Sequence, residues 1–130
     1  MSGRRKMDDV AKGERSHPQA LCPRFHKAVE LIGARWTGAL IQLLLPGPAR
    51  YCALREAVPD ISDRMLSERL RELEAEGVVE RVVVPETPVR VEYRLTSKGR
   101  ALEPAFAAIA KWAERYVEGE EPPEKKHPKR

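Results

Sequence analysis

Ile61-Ser62-Asp63-Arg64-Met65-Leu66-Ser67-Glu68-Arg69-Leu70-Arg71-Glu72-Leu73-Glu74-Ala75-Glu76-Gly77-Val78-Val79 is the stretch whose reading decides the fold. Ser62 is a good helix N-cap, and Gly77 suits the position that closes a helix. Between them Leu66, Leu70 and Leu73 recur at four- and three-residue spacing, the core face of an amphipathic helix. At about 100° per residue, Arg64, Glu68 and Arg71 fall opposite that stripe. Ser67 sits on one flank and Arg69 on the other. Two β-branched runs follow at once. Val78-Val79 with Val82-Val83-Val84 makes the first strand, and Val89 to Leu95 returns, with Val89, Val91, Tyr93 and Leu95 on one face. Pro85 to Pro88 turn the chain, and Arg90 stands at or just past the tip. A helix that exposes arginine and leads into a hairpin outlines a winged helix-turn-helix, an α+β fold that is mainly α.

The flanks fit that outline. Upstream, a helix from Pro23 to Ile32 carries Phe25, Ala28, Val29 and Ile32 on one stripe and stops at Gly33. Thr37 to Leu45 is apolar nearly all round, as a buried central helix should be, and Pro46-Gly47-Pro48 ends it. Ala49 to Tyr51 is a candidate short extended piece. Cys52 to Ala57 makes a third helix before the turn Val58-Pro59-Asp60-Ile61. Downstream, Thr96 or Ser97 caps one long last helix to about Tyr116, with Pro104 in its first turns or at a bend. The expectation is five helices and one hairpin. The last helix offers Leu102, Ala105, Phe106, Ile109, Trp112 and Tyr116, more apolar face than one small bundle needs. A partner helix would bury it, and so would closure of the monomer's own core.

Composition narrows the function classes. The chain has 130 residues, enough for one modest core. Residues 1–20 read as a polar arm, 21–116 as the folded domain and 117–130 as a charged, Pro-rich tail. Nothing approaches the apolar length of a membrane span, and the basic start Met1-Ser2-Gly3-Arg4-Arg5-Lys6 leads into no apolar signal region. A cytoplasmic protein is expected. Two cysteines, Cys22 and Cys52, are too few for a disulfide scaffold, and no Cys/His spacing suits zinc. No metal and no cofactor are expected. Net charge is +4, but residues 21–116 hold 15 basic against 13 acidic side chains. Charge placement therefore has to carry any nucleic-acid reading.

In a helix-turn-helix the N-terminal residues of the second helix reach base edges in the major groove. Arginine can bond guanine O6 and N7 with both ends of its fork, and glutamate can accept from cytosine N4. Arg64, Glu68 and Arg71 are so placed, with Ser62, Ser67 and Arg69 beside them. Arg90 would meet the minor groove or phosphates. Arginine and glutamate at helical spacing also make ordinary solvated, ion-paired faces, and Arg64–Glu68 and Glu68–Arg71 are such spacings.

Several motifs together are more specific. Cys22-Pro23, Leu31-Ile32-Gly33-Ala34-Arg35-Trp36-Thr37, Gly47-Pro48-Ala49-Arg50-Tyr51, Leu54-Arg55, Ile61 to Glu74, and Pro88-Val89-Arg90-Val91-Glu92-Tyr93-Arg94-Leu95-Thr96 resemble the HxlR family of bacterial transcriptional regulators, within the MarR-like superfamily. The resemblance runs from Cys22 to about Trp112. It implies a homodimeric winged helix-turn-helix regulator of double-stranded DNA, with the dimer built from the first and last helices. By position it implies that Ser62, Arg64, Ser67, Glu68 and Arg71 face DNA, with Arg90 from the wing; Arg69 joins this candidate set. Asp63 and Glu68 depart from the glutamine often found at those places, and acidic side chains beside phosphate lower affinity. Some members use a cysteine at the position of Cys22 to sense oxidants or electrophiles. Cys22 precedes a helix N-terminus, whose dipole favours a thiolate. The alternative is a small residue without a redox role. Cys52 stands where the family is usually polar, and a packing role is expected for it.

Other functions find less in the chain. Cys22 and His26, four residues apart, would make a nucleophile and base only with an orienting third group, and Glu30 on the same face is ordinary for a helix. No enzyme is expected. A winged helix used for protein contact, or a small-molecule-responsive regulator without thiol sensing, stays open as an alternative.

Overall fold

A computed structural model of the protein describes residues 20–119. The expected N-terminal arm, apart from Ala20, and the distal part of the expected tail lie outside the described residues. The chain divides after Ala34 into two units, each described by itself.

The described part of the first unit is one helix, α1, Pro23–Ile32. Proline at its start has no N–H to waste, and Gly33 caps its end, donating to the Val29 carbonyl at 2.8 Å. The bounds agree with the sequence reading. No residue of α1 is buried, and Phe25 and Val29 of its apolar stripe are exposed.

The second unit holds α2 (Thr37–Leu44), β1 (Ala49–Arg50), α3 (Tyr51–Ala57), α4 (Asp63–Ala75), β2 (Val79–Val84), β3 (Arg90–Leu95), α5 (Ser97–Arg100) and α6 (Glu103–Tyr116). The sheet order is β1-β3-β2, antiparallel throughout. The two-residue extended piece at Ala49 thus becomes the third strand. Its pairing of Ala49 with Tyr93 and Arg50 with Glu92 ties the start of α3 to the hairpin. In the hairpin Val79 faces Leu95 and Val84 faces Arg90, so β2 and β3 form the wing.

Leucine and isoleucine spacing explains the packing. Leu40, Ile41 and Leu44 of α2, Leu54 of α3, Ile61 from the turn, and Leu66, Leu70 and Leu73 of α4 are buried together with Val78, Val79 and Leu95. Each such side chain contributes about 1.5–3 kcal/mol on burial. α2 is central as expected, although Gln42 reaches solvent. It begins at Trp36, a non-glycine residue at φ 75°, whose ring lies 4.9 Å from the Arg35 guanidinium carbon.

α4 is closed at both ends by residues that the sequence supplies. The Ser62 hydroxyl accepts from the Met65 N–H at 3.0 Å. At the other end Gly77 adopts φ 76° and donates to the Glu74 carbonyl, while Val78 donates to that of Leu73. Those two bonds form a Schellman close and aim the chain straight into β2.

The expected single last helix is two. α5 ends at Arg100, and α6 begins at Glu103 with Pro104 in its first turn. A proline there has no N–H for the Arg100 carbonyl, and its ring disfavours a continuous helix through that point. α6 has no buried residue. The described residues therefore hold six helices rather than five.

Candidate nucleic-acid interface

α4 presents two faces. Leu66, Leu70 and Leu73 are buried, and Ser62, Arg64 and Arg71 on the opposite side are exposed. Among the described residues neither Arg64 nor Arg71 forms an ion pair, so the spacings Arg64–Glu68 and Glu68–Arg71 do not become bridges. Ser67 and Glu68 are half-buried at the edge of this face. Two arginine forks, each with five donors, are thus presented from this face of the helix, Arg64 in its first turn and Arg71 past its middle, without an ion-pair partner among the described residues.

Arg69 is placed differently from the rest of the set. Its Nε donates to the Arg35 carbonyl at 2.9 Å, and its Nη1 bridges both carboxylate oxygens of Glu72, at 3.0 and 3.1 Å. Its side chain is 17% exposed. The guanidinium fastens α4 to the turn that begins α2. The reason is rotational: Arg69 lies beside Leu66 and Leu73 and is drawn toward a carbonyl left free by the left-handed turn at Trp36.

Asp63 also has a partner that spacing did not announce. Its Oδ1 accepts from Arg55 Nε at 2.8 Å and from the Tyr51 hydroxyl at 3.4 Å. The Tyr51 hydroxyl also lies 3.1 Å from the Asp63 carbonyl and 3.3 Å from Ser67 Oγ. Tyr51 and Arg55 stand one turn apart on α3 and together grip the start of α4. A carboxylate in the first turn of a helix is favoured by the helix dipole. Here it is also neutralised, because Asp63 is half of an ion pair with Arg55.

The wing carries Arg90 as the first residue of β3. Its Nε donates to Glu92 at 3.0 Å and its Nη1 to Glu86 at 2.9 Å. Farther along, Arg94 pairs with Glu80 at 2.7 Å. Between the wing and the start of α3 lies an open cleft of about 290 Å³, lined by Arg50, Tyr51, Cys52 and Arg90 among others. Cys52 is exposed there as a free thiol, which corrects the expected packing role. It faces outward because Leu54, two residues on, takes the buried side of α3.

Cys22 is the N-cap residue of α1, exposed, with no capping bond from its side chain. His26 Nε2 lies 4.0 Å from Glu30, so a carboxylate does stand beside that imidazole, but all three side chains are solvent-exposed. Among the described residues no group of acidic, histidine and cysteine side chains could hold a metal. No helix among them is long and apolar enough to cross a membrane.

This arrangement has close parallels. YvaP of Bacillus subtilis (strain 168), an uncharacterized HTH-type transcriptional regulator, is 51% identical over 98 residues, which are 75% of this chain and 91% of YvaP. The HTH-type transcriptional regulator YodB of the same strain is 47% identical over 98 residues, 75% of this chain and 88% of YodB. The solved structure of reduced YodB matches with a TM-score of 0.70 at 46% identity, covering 78% of this chain and 100% of that one. The redox regulator HypR in its oxidized form gives 0.70 at 39% identity, covering 75% and 100%. The family model described as HxlR-like helix-turn-helix matches residues 31–121. The chain belongs to the HxlR-like helix-turn-helix family of transcriptional regulators, and its fold is the winged helix-turn-helix.

Proposed function

We propose that the protein acts in the cytoplasm as a homodimer on a two-fold symmetric operator, with α4 in the major groove and the wing beside it. One observation carries this reading: Arg64 and Arg71 stand exposed and without an ion-pair partner among the described residues, on the face of α4 opposite the buried leucines. Ser62, Ser67 and Glu68 border that face, and Arg90 supplies the wing's cation. Two copies would set their reading helices ~34 Å apart, one turn of duplex. The test is selection of bound DNA from a random pool at stated salt, followed by titration of variants. Arg64→Ala is expected to cost about 1–3 kcal/mol, concentrated at one base position. Unchanged binding by Arg64→Ala combined with Arg90→Ala would remove these residues from the interface.

A second layer concerns Cys22. Its thiol is exposed at the start of α1, and HypR, a relative in sequence and fold, is a redox regulator. In this reading thiol oxidation or modification at Cys22 reorients the dimer and releases DNA. Gel shifts with and without diamide, for wild type and Cys22→Ser, test it. Release of the wild type alone supports the sensor; equal release of both proteins refutes it.

A further inference from the structure

We infer that Glu86 and Glu92 set the wing's grip on DNA by holding the Arg90 guanidinium in an intramolecular clasp that duplex phosphate must displace. The inference rests on the DNA-binding face proposed above. Arg90 and Glu92 are two residues apart in β3 and so share one face of the strand. Glu86 reaches back from the turn, where its own N–H is fixed to the Val84 carbonyl at 2.8 Å. The two carboxylates take Nε and Nη1 at 3.0 and 2.9 Å, and the three side chains are only 28%, 48% and 26% exposed. Arg50 of β1 stands opposite Glu92 in the sheet register, so the local charges balance, and what sets Arg90 apart is that two carboxylates already occupy its donors.

The two arms of the DNA face therefore differ in kind. α4 offers Arg64 and Arg71, with no carboxylate attached among the described residues, while the wing offers an arginine already held by two. A phosphate nearing the wing meets a guanidinium whose Nε and Nη1 are already taken by carboxylates, and the carboxylates lie well within the ~8 Å over which charges act at physiological salt. On an arbitrary duplex the cost of opening the clasp keeps the wing from adding affinity. On the operator, contacts made by α4 hold the wing against the backbone, and phosphate can exchange with a carboxylate for the arginine. Such half-exposed pairs are weak enough to exchange. The clasp thus lowers non-specific binding more than specific binding, which is discrimination by an element that opposes the wrong partner.

The test uses the full chain: wild type, Glu86→Gln with Glu92→Gln, Arg90→Ala, the triple variant, and Arg64→Ala. Each is titrated onto the selected operator and onto an unrelated duplex across a salt series, with thermal melts confirming the folded state. The double glutamine variant is expected to bind the unrelated duplex about threefold tighter or more, with a log-log salt slope steeper by about 0.9, one added phosphate contact. Operator binding should gain less, and Arg90→Ala in the same background should abolish the gain. No gain, or an equal gain in the triple variant, overturns the clasp, the latter because net charge alone would then explain it. Arg64→Ala separates the two readings. If it weakens operator binding while the glutamine variants change nothing, the clasp fails and the DNA face stands. If it changes nothing either, the DNA face fails too.

Discussion

Gly77 and Asp63 stand at opposite ends of α4 and show what single residues decide. Gly77 sits at φ 76°, and a Cβ there would meet nothing closer than the Lys98 side chain at 3.9 Å. Any loss on substitution is therefore conformational, about 1–2 kcal/mol for an L residue held left-handed. Gly77→Ala should lower stability by that amount in denaturant melts, and Gly77→Asn should cost less, because asparagine tolerates this region. Equal losses for the two would point to a packing fault instead. Gly77 was legible in the sequence because a helix of this length followed by β-branched residues needs a stop there. The partners of Asp63 were not legible. Arg55 and Tyr51 lie eight and twelve residues upstream on another helix, and only the packing of α3 against α4 brings them in. The bond of Arg69 was hidden for the same reason: the Arg35 carbonyl is 34 residues away. Periodicity assigns a face, but it does not reveal a hydrogen-bond acceptor offered by a distant turn.

At the scale of elements, the helix pair α3–α4 is joined by polar groups, while Leu54 of one and Leu66 of the other are buried. The Arg55–Asp63 pair is largely exposed, so its direct effect on stability is small, about 0–1 kcal/mol. Its effect on DNA binding should be larger, because it decides whether phosphate meets a neutral pair or a bare carboxylate. Arg55→Ala is expected to weaken operator binding, and adding Asp63→Asn should restore part of the loss. Filter-binding titrations of the two variants at one salt concentration check this; absence of any restoration would mean that Arg55 touches DNA itself. Most element bounds follow from caps and breakers: Pro23 opens α1, Ser62 opens α4, and Pro46-Gly47-Pro48 follows α2. The exception is the last helix, where a continuous apolar stripe hid the break between α5 and α6. Gly99 shows what holds α5 in place. A Cβ at Gly99 would collide with the Val78 carbonyl, so this turn lies tight against the start of β2.

For the whole molecule, the apolar surface left over by the fold is the strongest pointer to a second copy. Ile109, Trp112 and Tyr116 recur at three and four residues and share one face of α6, and they are 53%, 59% and 62% exposed. The Trp112 and Tyr116 rings pack at a tilt of 43° with centroids 5.6 Å apart, an aromatic ridge. Phe25 and Val29 form a separate exposed stripe on α1. The sequence displayed both stripes but could not say whether they close the monomer's core; α1 and α6 each bury no residue, which favours the dimer. In a two-fold dimer every contact occurs twice, so a charge placed in the interface is placed there twice. Ile109→Glu combined with Trp112→Glu should therefore yield a folded monomer, with unchanged helix content by circular dichroism and half the mass by sedimentation equilibrium. A monomer reads one half-site, and losing the second tethered contact should weaken operator binding about a hundredfold. The same variant should bind an isolated half-site as the wild-type protomer does, since α4 and the wing are untouched. A doubly substituted chain that stays dimeric and keeps its operator affinity would place the interface away from this face of α6.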